Sequence, residues 1–95
     1  MVKPYIPPKT IRTLFVLHQL GGKSGTNNIL HHYKKIFPVD YMNYMLLVAN
    51  LDFLHKSQDI KKFHNSYRGK YVVDNPQTYE ITSDGMFQLR KWKLI

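Results

Sequence analysis

Apolar residues along this chain recur first at helical spacing and later at extended spacing. Ile11, Leu14, Phe15 and His18 fall at i, i+3, i+4 and i+7, with Leu17 beside them, which makes one face of a helix apolar. Thr10 or Pro8 opens that helix. Gly21-Gly22 closes it, because glycine adopts the left-handed conformation that helix ends use. Pro4, Pro7 and Pro8 make residues 1–9 an extended arm. Lys23-Ser24-Gly25 is a short bridge or a stub of strand. Ser24 or Thr26 caps the second helix, TNNILHHYKKIF, whose apolar face is Ile29, Leu30, Tyr33, Ile36 and Phe37. Pro38 stops it. Asp40 is placed to cap a third helix over Tyr41 to Asn50, with Tyr44, Leu47, Val48 and Leu51 as its buried stripe and Tyr41 and Met45 beside them. Asp52 stands where that helix turns out, a position that Asp tolerates better than most residues.

Past Asp52 the period shortens to two. Phe53-Leu54-His55-Lys56 reads as strand. Ile60, Phe63, Tyr67, Tyr71, Val72 and Val73 are β-formers around a turn at Ser66–Gly69. Asp74-Asn75-Pro76 breaks the chain, and Thr78 to Thr82 reads as a returning strand. Thr82 or Ser83 then caps a last helix, DGMFQLRKWKLI, with Met86, Phe87, Leu89 and Trp92 as its apolar residues. The predicted order is helix, helix, helix, strand, basic hairpin, strand, helix. It describes one α+β domain over residues 10–95, with the hairpin between about residues 53 and 82.

Composition changes this picture in two ways. With 95 residues, 43% of them hydrophobic, the chain can build one core, but it is short enough that a homodimer hiding further surface is expected. No cysteine is present, which excludes disulfides, thiolate metal sites and a cysteine nucleophile. No apolar run approaches the ~18 residues of a membrane span, and the N-terminus lacks the apolar core of a signal peptide. A cytoplasmic protein is expected, or one of the host cytoplasm if the source is viral.

Charge narrows the partner. Fourteen Lys and Arg against six acids give a net charge of +8 and a pI near 9.8, which draws polyanions, nucleic acid above all. Lys61, Lys62, Arg68 and Lys70 supply +4 of that total within ten residues that hold no acid. Catalytic and metal chemistry find no constellation. His31 and His32 are neighbours and point about 100° apart on a helix. His18 falls on the apolar face of the first helix, a core position, and His55 and His64 lie in the hairpin without acid partners. GGKSG at Gly21 to Gly25 lacks the spacing and preceding strand of a phosphate-binding loop. No enzyme activity, cofactor, metal or small-molecule ligand is expected.

Two stretches carry a family resemblance. LDFLHKS, Leu51 to Ser57, resembles the junction at which a recognition helix ends and a wing begins, with Asp52 where most family members have glycine. YEITSDGMFQL, Tyr79 to Leu89, resembles the closing strand and the T-x-x-G element of the final helix, with Thr82 and Gly85 in place. With the element order, over about residues 10–92, the chain resembles winged helix-turn-helix proteins: PadR-type and MarR-type repressors, and the small winged-helix proteins of archaeal viruses and plasmids. The resemblance implies a homodimeric transcriptional regulator on double-stranded DNA, associated with the nucleoid. Its third helix would lie in the major groove and its wing on the backbone or in the minor groove of a pseudo-palindromic operator. Richness in Lys, Asn, Ile and Tyr fits an AT-rich viral or plasmid genome.

On that frame the third helix contains no Lys or Arg, the residues that most often contact guanine. It offers Tyr41, Met42, Asn43, Leu46 and Asn50. The two amides suit adenine, and Met42 and Leu46 suit thymine methyls, which favours A·T-rich sites. Lys23, Ser24, Thr26, Asn27 and Asn28 surround the start of the second helix, where backbone N–H groups suit a phosphate, and Lys34 and Lys35 close it. The wing holds Lys61, Lys62, His64, Asn65, Arg68 and Lys70, with Arg68 placed for a minor groove. Phe87, Arg90, Trp92 and Leu94 are the candidate dimer contact. Two other uses are open to the same pattern. One is a protein-docking module built on the apolar third helix. The other is a non-specific architectural or single-strand binder that stacks bases on Phe63, Tyr67 and Tyr71.

Overall fold

A computed structural model, which describes residues 7–63 and 77–95, builds the chain around its first helix, α1 (Lys9–Gln19). Ile11, Leu14, Val16 and Leu17 are buried, and Thr13, buried with them, donates its hydroxyl to the Lys9 carbonyl (2.9 Å). Burial on more than one face follows from position, since α1 packs against three other helices and against the sheet. Pro8 is its N-cap residue. At the other end Gly21 (φ 91°) and Gly22 (φ 88°) take the left-handed conformation, and the Gly22 N–H donates to the Leu17 carbonyl (3.0 Å).

The stub at Lys23–Gly25 is a strand, β1. It leads into α2 (Thr26–Ile36), whose N-cap residue is Gly25. Neither Ser24 nor Thr26 caps this helix. Thr26 is buried, and its hydroxyl donates to the Gln77 carbonyl (3.3 Å), tying the start of α2 to the chain entering the last strand.

The third helix begins later than the sequence suggests and runs further. Asp40 does not cap it, because a closer set of partners holds that carboxylate. Arg12 Nη1 stands 2.7 Å away, Lys9 Nζ 3.7 Å away, and the Tyr33 hydroxyl donates to the same oxygen as Arg12. The Phe37 ring packs on Tyr33 (5.1 Å between centroids) and beneath the Arg12 guanidinium (5.9 Å). Asn43 takes the capping role instead, accepting the Leu46 N–H at 2.8 Å, so that α3 spans Tyr44–Lys56. Leu47, Leu51 and Leu54 form its buried stripe, while Tyr44, expected in that stripe, is exposed. Phe53 to Lys56 is therefore the last turn of a helix and not a strand: Leu54 completes the stripe only at helical spacing. Asp52 lies inside the helix, and Gln58 (φ 66°) makes the left-handed exit. The Asp59 N–H closes the end on the Leu54 carbonyl (2.9 Å).

β2 (Ile60–Phe63) and β3 (Thr78–Ile81) complete an antiparallel sheet in the spatial order β1-β3-β2. Ile60 pairs with Ile81, and Ser24 with Tyr79. Alternation sends Ile60 and Tyr79 into the core and aligns Lys23, Glu80 and Lys61 as one row on the outer face. The last helix, α4 (Ser83–Lys91), is locked to the exit of α3 by the T-x-x-G element. Thr82 Oγ1 accepts the Gly85 N–H (3.2 Å) and donates to the Gln58 carbonyl (2.7 Å), and the Thr82 N–H donates to the Asp59 carbonyl (3.0 Å). Gly85 is needed because the Asp59 carbonyl oxygen would lie 2.3 Å from any Cβ there. Trp92 and Leu94 fold back on the core of their own chain.

Candidate nucleic-acid interface

α3 lies between α2 and β2 and packs on α1. With Leu47, Leu51 and Leu54 turned inward, the opposite face presents Met45, Ala49 and Phe53 at i, i+4 and i+8. Met45 is 81% exposed and Phe53 59%. From Tyr44 to Leu51 the helix has no charged residue.

Charge stands on either side of this apolar face. From Gly21 to Phe37 there is no acid, and Lys34 and Lys35 are exposed at the end of α2. Beyond α3, Lys61 is exposed on β2. The acids among the described residues leave this charge largely open. Asp40 is held by Arg12 and Lys9, and Asp52 faces Lys62 (3.9 Å). Asp59 is buried and accepts the Ser57 hydroxyl (2.9 Å). Glu80 lies in the row between Lys23 and Lys61, and Asp84 sits in the first turn of α4, where the helix dipole favours it. Lys23 also reaches across the outer face of the sheet, with Nζ 4.8 Å from the Phe63 ring centroid.

Two buried tyrosines stay neutral and serve packing. Burial, followed by the Asp40 carboxylate, pushes the Tyr33 hydroxyl up from its ordinary value. Tyr79 is also raised, by burial first and then by the charge of Asp52, and its hydroxyl donates to Gln77 Oε1 (2.9 Å). Among the described residues no three His, Asp or Glu side chains stand close enough to share a metal ion, and no helix is long and apolar enough to cross a membrane.

Two solved structures share this architecture. A winged-helix DNA-binding protein from the archaeal virus STIV superposes with a TM-score of 0.70, at 16% identity, over 93% of this chain and 86% of its own. The fold is a winged helix-turn-helix. The circadian clock-associated protein Pex from Anabaena superposes with a TM-score of 0.61, at 14% identity, over 94% of this chain and 76% of its own. No protein-family model and no curated protein sequence matches the chain.

In the winged helix, α3 is the third helix, and β2 pairs with β3 in the antiparallel sheet. The residues singled out in the sequence separate on this frame. Met42 is only 3% exposed and belongs to the core, so its side chain offers nothing to a groove. Tyr41 and Asn43 precede the helix, and Asn43 Nδ2 donates to the Tyr41 hydroxyl (2.9 Å) while its oxygen caps α3. Leu46 remains open. Asn50 turns its Nδ2 back to the Leu46 carbonyl (2.7 Å). Lys23, Asn27, Asn28, Lys34 and Lys35 are exposed, Ser24 is half-buried in β1, and Thr26 is enclosed. Lys61 is exposed, and Lys62 is half-buried against Asp52. Phe87 and Arg90 stay exposed on α4, whereas Trp92 and Leu94 are partly covered by their own chain. His64, Asn65, Arg68 and Lys70 lie outside the described residues, as do Tyr67 and Tyr71. Sequence reasoning missed the exposed positions Met45, Ala49 and Phe53. Moving the cap from Asp40 to Asn43 and continuing the helix through Lys56 would have found them.

Proposed function

We propose that this winged helix binds double-stranded DNA and regulates transcription by occupying a pseudo-palindromic site as a homodimer. The observation that carries this reading is the placement of α3, which has no charged residue from Tyr44 to Leu51, in contact with both α2 and β2, on which Lys34, Lys35 and Lys61 are exposed. A polyanion with two backbone ridges and a groove between them matches that order of charge, apolar surface and charge. The fold supports it, since one structural neighbour is described as DNA-binding. Lys34, Lys35 and Lys61 are the phosphate contacts supplied by the described residues, with Arg68 and Lys70 of the wing sequence adding to them. Five such contacts give a slope of about −4.5 in log K against log salt, at −0.9 per contact. For the homodimer, Phe87 on α4 and Ile95 beyond it are the exposed apolar residues near the C-terminus.

Fluorescence anisotropy with a labelled random duplex, over about 50 to 200 mM salt, tests the reading. A steep loss of affinity is expected. Absence of binding, or binding without a salt slope, removes it. Sedimentation of the free protein and of its complex tests the dimer; one protomer on each duplex refutes it.

A further inference from the structure

We propose that α3 reads the C5 methyl groups of thymine through Met45, Ala49 and Phe53, so that base selection comes from apolar contact and not from hydrogen bonds to base edges. The inference rests on the DNA-binding reading and deepens it. The stripe at i, i+4 and i+8 is the face of α3 most open to a partner, and its side chains hold no strong donor or acceptor. The two amides near it are engaged within the chain. Asn43 gives its oxygen to the Leu46 N–H and its nitrogen to Tyr41, and Asn50 gives its nitrogen to the Leu46 carbonyl. A fork on adenine needs both the donor and the acceptor of one amide directed at the base. Among the groups that the major groove presents, the thymine methyl is the apolar one.

An apolar stripe can equally meet another protein. The flanking charge decides between them. Lys34 and Lys35 on α2 and Lys61 on β2, two elements that contact α3 besides α1, are exposed, and the one acid of α3, Asp52, is opposed by Lys62. An apolar floor between two anionic ridges is the complement of that surface, and the floor of a T-rich major groove has this form.

Two duplexes of alternating A and T test the idea, identical except that deoxyuridine replaces thymidine in one. Uracil keeps every hydrogen-bonding group of thymine and lacks only the methyl. Each methyl buried on binding contributes about fourfold in affinity, so replacing all of them is expected to weaken binding tenfold or more. The double variant Met45→Ala with Phe53→Ala alters exposed side chains, so the fold is retained; circular dichroism checks this. In that variant the thymine and uracil duplexes are expected to bind alike, at the affinity the parent shows for uracil DNA. Equal affinity of the parent for both duplexes, with a normal salt slope, overturns methyl reading and leaves DNA binding intact. Loss of binding to both duplexes at every salt concentration overturns the DNA reading itself. Unchanged thymine preference in the double variant assigns the discrimination to other residues and also refutes the proposal.

Discussion

Replacing Gly85 with alanine is expected to destabilise the protein by about 2 kcal/mol, although Gly85 lies in a helix, where alanine ordinarily stabilises. The new Cβ would meet the Asp59 carbonyl oxygen at 2.3 Å and Ile81 Cγ1 at 2.7 Å, where ordinary contact begins at 3.4 Å. The side chain of Ile81 can turn away; the carbonyl has to retreat by about 1 Å, the difference between 3.4 and 2.3 Å. That carbonyl is fixed on both sides. Its own residue's N–H donates to Leu54 (2.9 Å), and the oxygen accepts the Thr82 N–H (3.0 Å). Overpacking against such a site costs ~1–3 kcal/mol, and weakening the two hydrogen bonds adds about 1 kcal/mol. Helix propensity returns at most about 1 kcal/mol. For a domain of this size a net loss of about 2 kcal/mol lowers Tm by roughly 8–16 °C. Thermal and urea unfolding followed by circular dichroism measure it. Gly21→Ala serves as the comparison: nothing lies within 4 Å of its Cβ, so the cost there is the positive φ alone, ~1–2 kcal/mol. A Gly85→Ala variant as stable as the parent would refute the close-contact argument and leave the T-x-x-G element without its physical basis.

Asn43→Ala removes the α3 cap and is expected to cost about 1 kcal/mol in urea unfolding, while the preference of the protein among DNA sequences stays unchanged; a selective loss on adenine-containing sites would instead make Asn43 a base contact. Tyr33 and Tyr79 are both raised above their ordinary value of 10.0 when folded, so the unfolded chain ionises first. Their stabilising contribution is complete below about pH 10 and declines as pH rises toward the folded values. Urea midpoints are therefore expected to fall above about pH 10, and Tyr33→Phe should flatten that fall; an unaltered profile contradicts the assignment. Lys61→Ala is expected to reduce the salt slope of DNA binding by about 0.9 and to weaken all sequences alike, as read by anisotropy.

The ends of the helices show what local information carries and where it stops. α1, α2 and α4 are legible from apolar spacing and from Gly21-Gly22, Pro38 and Thr82, because helix formation and termination depend on residues within one or two turns. The basic character of α2 is legible from Lys34 and Lys35 themselves, whereas the outer row of the sheet, Lys23, Glu80 and Lys61, follows only from the strand register. The frame of α3 is not legible locally. Asp40 and Asn43 are both good caps by local chemistry, and the choice between them is made by Arg12, 28 residues away, which holds Asp40 with Lys9 and Tyr33. With α3 capped at Asn43, Met42 lies in the core and Met45 in solvent. In the same way Phe53 to Lys56 has the composition of a strand, but burying Leu54 behind Leu47 and Leu51 outweighs local propensity. The sequence by itself determined the class of fold, the succession of its four helices with a basic segment between the third and the fourth, and a positive field. Only the tertiary structure decided which side chains of α3 face outward and which acids are neutralised, because both depend on partners that periodicity and propensity do not reach.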